Sequence, residues 1–506
     1  MFVRDLADAR KLFDSVKGTI AGVGITAYSR IIPAYFRQPY YIIALRKTLD
    51  LPLLRKRVEI FCLEEEIGHF VEAKGFNSAT LLSHPAVRGF LKKVEGPRYF
   101  LLYQSYPDLE ALAERQGWVP LANPSCLRMR VTDKAFFLRM ADQLKLTRVP
   151  GDMYPQNDFF AFDYAYWAQK VDPKFVVQLP EIRQGGGKGT FFVKSELDYQ
   201  RVQKILKGGT WRGVEIETIA VRKFMDGIPA SLALCLTRHG ILLSRLQRQL
   251  IDLPYCVDIS ENGIFCGHSW GETAWPPHVK AEAVRQARLI GEHLAGMGYK
   301  GILGIDFIIS RDKKQVYPLE CNPRFTGAFP MLSQLQLWHN IIPMDVFHML
   351  EFLDLPYEID LPSLCARYEE PISGSHIILF GGSHPLLKTD GLPDAGLYEH
   401  DPDSGRIYFV DGASDYREIR NERQFIIIDG PPALPERLAP VLRSSLLRRM
   451  EWQAGPPATG EKGLALRDPL QRLCRILFPN PIMNERETLT PWVLDAVDWV
   501  YKQMFG

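Results

Sequence analysis

Gly301-Ile302-Leu303-Gly304-Ile305-Asp306-Phe307-Ile308-Ile309 and, a short way on, Pro318-Leu319-Glu320-Cys321-Asn322-Pro323-Arg324-Phe325-Thr326-Gly327 form the most informative stretch of this 506-residue chain. The first run is apolar and carries one acid, the pattern of a buried strand. Side chains of an extended segment alternate between faces, so Glu320 and Asn322 point one way and Cys321 the other. Arg324 continues the Glu320 row if the strand persists. Oxygen ligands beside a guanidinium fork suit a magnesium–phosphate assembly, because hard cations take oxygen and Arg pairs with phosphate oxygens.

Working outward, composition bounds the class. The length allows about three domains, and 46% hydrophobic with 24% charged residues describes an ordinary globular chain. Lys and Arg number 61 against 59 Asp and Glu, a net charge of +2, which argues against nucleic acid as a partner. No run of about 18 apolar residues is present, so no membrane span is expected. Acids occur early in Met1-Phe2-Val3-Arg4-Asp5-Leu6, unlike a signal peptide. Eight scattered cysteines without a C-x-x-C pair read as reduced, buried thiols of a cytoplasmic protein.

The first 130 residues alternate strand and helix signals. Tyr40 to Leu45, Val58 to Leu63 and Tyr99 to Tyr103 read as strands, and Pro107 to Gln116 as a helix stopped by Gly117. Such alternation favours a parallel α/β layer. Ala21-Gly22-Val23-Gly24 hints at a glycine turn. A second unit begins near Thr132 with a helix capped by Thr132 or Asp133. A strand over 174–179, the loop Gln184-Gly185-Gly186-Gly187-Lys188-Gly189-Thr190 and the strand Phe191 to Val193 make a glycine hairpin, which can lay backbone N–H groups over phosphates. Glu217 to Phe224 and Ala230 to Thr237 read as paired strands, and Ala281 to Met297 as an amphipathic helix. After about residue 360 come short strands between glycine and proline turns, a linker at 454–460 and an apolar-faced helix, Pro491 to Phe505.

In this order, the Asp133-Lys134 helix start, the glycine hairpin, Val221-Arg222-Lys223-Phe224-Met225, Asp306 and Glu320-Cys321-Asn322-Pro323-Arg324 resemble the ATP-grasp superfamily, over roughly residues 130–350. The resemblance implies an α/β (α+β) fold, with a Rossmann-like domain over 1–130 and an ATP-grasp domain over 131–360 with a lid at about 170–222; the short strands after residue 360 make 361–506 a β-rich accessory region that matches no motif. It implies that Gly185, Gly186, Gly187, Lys188 and Gly189 cover the phosphates of ATP, that Lys134 reaches them from the other side, and that Lys223, Phe224 and Met225 read adenine. Asp306, Glu320 and Asn322 would hold Mg2+ (or Mn2+), and Arg324 would stabilise the transferred phosphoryl group. Gln178 and Arg222 are expected in the ATP site as well, but both depart from the family: Gln178 stands where a lysine is frequent, and Arg222 where an acid is frequent before the hinge. Phosphate affinity then leans on Lys134, Arg183 or Lys188.

Arg245 and Arg248 offer either an anchor for a substrate carboxylate or acyl phosphate, or a solvated basic edge; His268 and Trp270 read as a packed loop. The implied activity is an ADP-forming ligase of biosynthesis that joins a small-molecule carboxylate to an amine through an acyl phosphate. Alternatives are a carboxylase or phosphotransferase on the same scaffold, or a non-catalytic nucleotide-binding regulator. The 361–506 region is open between completing the pocket, forming a homodimer and binding a carrier partner.

Overall fold

Five short apolar strands, Thr19–Gly24, Tyr40–Ala44, Glu59–Cys62, Arg98–Leu101 and Trp118–Leu121, make a parallel sheet in the N-terminal part of the chain. In the computed structural model the described residues are all but 73–74, 95, 97, 183–188, 257–262, 272–274, 385, 389–390, 434–462, 466–469 and 485–486. Ala21-Gly22-Val23-Gly24, expected as a glycine turn, lies instead in the central strand Thr19–Gly24, flanked by Tyr40–Ala44 and Arg98–Leu101. Small side chains there reflect crowding: a Cβ on Gly22 would lie 2.1 Å from the Tyr40 hydroxyl. Chain order reverses at this strand, and the ends of strands at such a switch point open a crevice. Helix Pro107–Gln116 stops at Gly117, whose φ of 63° is left-handed, as the sequence predicts.

The second sheet belongs to a small subdomain and has the order Gly151–Pro155, Thr218–Lys223, Phe175–Gln178, Thr190–Val193, all antiparallel. It starts at Gly151, before the 170 expected for the lid. Val177 and Val221 face a core with Phe159, Trp167 and Tyr199, so by alternation Val176, Gln178, Ala220 and Arg222 share the other face. Gly151 pairs with Arg222 at φ +127°; a Cβ there would lie 2.5 Å from the Arg222 Cα, so only glycine lets the edge strand close on this position.

Thr218–Lys223 and Gly227–Thr237 are not paired with each other, contrary to the expected hairpin. The turn at 224–226 passes the chain from the lid sheet to a larger antiparallel sheet. There Val316–Asn322, Gly301–Ser310, Gly227–Thr237, Gln247–Ile251, Phe265–Trp270, Gly374–Phe380, Arg472–Phe478, Gln424–Ile428, Gly396–His400 and Ile407–Asp411 follow in order. Helix Pro277–Gly296 packs its Val279, Ala283, Ala287, Ile290 and Leu294 on Leu232, Leu234, Leu303 and Ile305. The sheet runs unbroken past residue 361, because Gly374–Phe380 pairs with Phe265–Trp270. Gly267, at φ +152°, makes that pairing close: a Cβ would lie 1.9 Å from the His376 carbonyl oxygen. The linker at 454–460 and most of the glycine loop, 185–188, lie outside the described residues. Among those described, no helix is long and apolar enough to cross a membrane.

Candidate functional site

A cavity of about 460 Å3 separates the lid sheet from the large sheet. Its wall includes Lys134, Gln178, Gly189, Arg222, Lys223, Phe224, Met225, Asp306, Glu320, Asn322 and Arg324, brought from five segments of the chain.

Asp306 and Glu320 lie directly opposite each other on the antiparallel strands Gly301–Ser310 and Val316–Asn322. Opposed residues in such a ladder have Cβ atoms about 5 Å apart on one face, and like charges there repel. A bulge follows: Phe307 pairs with Pro318, which leaves Leu319 as the extra residue. That irregularity explains how a proline sits inside this strand. Gln249 Nε2 donates to Asp306 Oδ1 and Asn322 Nδ2 to Oδ2, each at 2.8 Å. Burial, then the Glu320 charge, pushes the Asp306 carboxyl well above the usual carboxylate range. Two apposed carboxylates held at this cost suit a divalent cation, and among the described residues no cluster of three or more His, Cys, Asp or Glu forms a rival metal site. Asn322 bridges the acids to the arginine, since its Oδ1 accepts from Arg324 Nη2 at 2.9 Å. Arg324 also donates to the Tyr103 hydroxyl and to the Phe325 carbonyl (3.1 Å), and its guanidinium lies 4.9 Å from the Tyr103 ring centre. Tyr103 follows the strand Arg98–Leu101, which pairs with the switch-point strand Thr19–Gly24.

Cations face these acids. Lys134 opens the helix Lys134–Gln143, capped by Asp133, whose Oδ1 accepts from Phe136 N at 2.7 Å. Burial lowers the Lys134 pKa to about 8, against the pull of Glu320. Burial also lowers the pKa of Arg222, and again Glu320 opposes it. Arg222 Nη2 donates to Gln178 Oε1. At the hinge, Lys223 N donates to Pro150 O and Phe224 N to Lys174 O, both at 2.8 Å. Proline has no N–H to return, so the Lys223 carbonyl receives nothing from Pro150. The Lys223 ammonium pairs with Asp172 at 2.9 Å and is therefore committed to the lid.

Arg245 and Arg248 are not brought into the cavity. Arg245 donates to the Glu369 carbonyl, and Arg248 sits 3.6 Å from Glu487. Alternation along Gln247–Ile251 sends Arg248 to the face opposite Gln249, and it is Gln249 that reaches Asp306. Sequence reading passed over Gln249 and Tyr103; the period-2 row Gln247, Gln249, Ile251 was the available signal for the first. His268 is buried on the strand Phe265–Trp270, its Nδ1 3.2 Å from His376 Nε2, so it belongs to packing and not to a loop.

Beyond Arg324 lie two further arginines, Arg475 and Arg472. Arg475 is buried and donates to His376 Nδ1 (2.9 Å), Gly327 O (3.1 Å) and Asp429 Oδ2 (3.4 Å). Thr26 Oγ1 donates to Asp429 Oδ1 at 2.5 Å. Arg472 is exposed, yet surrounding protein lowers its pKa while Tyr103 raises it.

Residues 181–328 match the family model described as an ATP-grasp domain. The chain is 24% identical over 331 residues to formate-dependent phosphoribosylglycinamide formyltransferase of Syntrophotalea carbinolica, covering 63% of this chain and 72% of the relative. It is 24% identical over 211 residues to the carbamoyl phosphate synthase arginine-specific large chain of Geobacillus stearothermophilus, covering 40% and 17%. Among solved structures, the fold is similar to the biotin carboxylase domain of Hydrogenobacter thermophilus 2-oxoglutarate carboxylase, crystallised with MgADP and bicarbonate (TM-score 0.55, 11% identity, 92% of this chain and 86% of the other). It is also similar to phosphoribosylamine–glycine ligase from Thermotoga maritima (TM-score 0.51, 14% identity, 96% and 97%). At these identities the likeness establishes the fold.

Proposed function

We propose, from the ATP-grasp domain match over residues 181–328, that this chain is an ADP-forming ligase that activates a small carboxylic acid as an acyl phosphate and passes the acyl group to an amine. The observation that carries the reading is the charge inventory of the cavity. Lys134, Arg222 and Arg324 line it without an ion pair to any described carboxylate, and they face the apposed acids Asp306 and Glu320. Desolvated charges of both signs, held apart, are completed by a polyphosphate together with its divalent cation.

In the reaction a carboxylate oxygen of the acid attacks the γ-phosphorus of ATP, the β–γ bridge bond breaks, and ADP leaves. The amine then attacks the acyl carbon, phosphate departs with the C–O bond electrons, and the amine proton passes to solvent or phosphate. The protein positions the partners and offsets charge, and no covalent enzyme intermediate is required. Adenine lies between the lid and the large sheet, where the Lys223 carbonyl accepts from its amino group. Lys134 contacts the phosphates. Asp306 and Glu320, with Asn322 beside them, would hold Mg2+ or Mn2+, which would offset the charge of the phosphates. Arg324, aimed by Asn322 and Tyr103, neutralises the transferring phosphoryl group. The acid enters from the Tyr103 side, where Arg324 supplies a cationic contact. The relatives named for formate, a carboxylate, support an acid substrate of this kind.

Full-length protein with MgATP and pooled carboxylic acids and amines should release ADP and phosphate only when an acid is present. Tight MgATP binding with no acid-dependent turnover from broad pools would favour the non-catalytic alternative.

Lys134 makes nucleotide binding pH-dependent. Its ammonium is lost as the pH rises through about 8, while the phosphates stay anionic. MgATP affinity is therefore expected to fall about tenfold between pH 7 and 9, and Lys134→Arg, which keeps its charge, should flatten the profile. Calorimetric titration at the two pH values checks this.

A further inference from the structure

We propose that Arg222 is the cation with which the lid holds the nucleotide phosphates, and that Gln178 is the positioning residue that aims it. The inference rests on the nucleotide reading of the cavity.

The two residues lie on neighbouring antiparallel strands of the lid sheet. Ala220 pairs with Gln178 and Arg222 with Val176, so the two side chains are diagonal neighbours on the cavity face. The amide is itself oriented. Gln178 Nε2 donates to Thr190 Oγ1 at 3.4 Å, which turns Oε1 toward Arg222, and Oε1 accepts from Nη2. A guanidinium has five N–H donors in a rigid fork, and this contact fixes its plane while occupying one of them.

The charge environment fits a phosphate contact. Glu320, across the cavity, is the acid that most favours the charged form of both Arg222 and Lys134. A divalent cation held by Glu320 would leave both cations without that partner, and nucleotide phosphates would supply the anion they then face. The neutral amide at 178 matters for the same reason. A carboxylate there would orient the fork but cancel its charge, and a lysine would repel it. Gln178 does neither, so the pair delivers one positive charge to the lid face from the strand next to the one on which the family frequently carries a lysine.

The test is calorimetric binding of MgATP, MgADP and adenosine to the full chain and its variants. Arg222→Gln should weaken ATP and ADP by about ten- to a hundredfold and leave adenosine unchanged. Gln178→Ala should show the same selectivity with a smaller loss, about three- to tenfold. Gln178→Glu should also weaken ATP selectively while the melting temperature holds or rises, because the new carboxylate pairs with Arg222; that variant keeps the test sharp if truncations soften the lid. Equal losses for adenosine and ATP, or no loss for ATP, would overturn the assignment. Wild-type protein that binds no MgATP would instead overturn the nucleotide reading beneath it.

Discussion

Glu320→Gln is expected to lower acid-dependent ADP formation about a thousandfold, close to 4 kcal/mol of transition-state stabilisation, without loss of fold. The substitution is nearly isosteric and leaves the strand Val316–Asn322 with its bulge and pairing. It removes half of the apposed acid pair proposed to hold the divalent cation. It also relieves the repulsion that helps raise the Asp306 pKa. The same change removes the acid that favours the charged forms of Lys134 and Arg222, so the two effects offset and the apoprotein should melt close to the wild-type temperature while activity collapses and cannot be restored by excess magnesium. Turnover within tenfold of wild type would refute the metal role of this acid.

Arg324→Lys should cost about a hundredfold in kcat with little change in the KM for ATP. A lysine keeps the charge but cannot hold the bond to Asn322 Oδ1 and the contact with the Tyr103 hydroxyl while presenting a planar fork to the phosphoryl group. Tyr103→Phe removes one of those supports and should give a smaller kcat loss of the same kind. If the lysine variant instead raised the KM for ATP with kcat intact, Arg324 would be a ground-state contact with the nucleotide.

The acids were readable because a strand has a period of two. Glu320 and Asn322 share a face whatever the rest of the chain does, and an acid inside the apolar run 301–309 needs a partner. Asp133 as a cap, the strand ending at Lys223 and most of the helix expected over Ala281 to Met297, found at Pro277–Gly296, were legible for the same local reasons: capping chemistry, a strand end and a 3.6-residue stripe. Arg245 and Arg248 show the limit. Two arginines beside a predicted site look like substrate anchors, yet alternation within Gln247–Ile251 puts Gln249 inward and sends Arg248 to Glu487. The break between Thr218–Lys223 and Gly227–Thr237 was equally invisible, since two adjacent apolar runs around a turn look like a hairpin whether or not they pair.

The sequence by itself determined which residue types could bind a cation and phosphate, and in what order along the chain, because strand periodicity, caps and glycine loops act over a few residues. Tertiary structure decided the rest. It set Asp306 against Glu320 across a bulge, carried Tyr103 more than 200 residues to Arg324, and paired Gln178 with Arg222 across two strands. Those contacts depend on sheet register and on which edge meets which, and burial then shifts the affinity of Lys134 and Asp306 for protons. Neither register nor desolvation is encoded by any short stretch of chain.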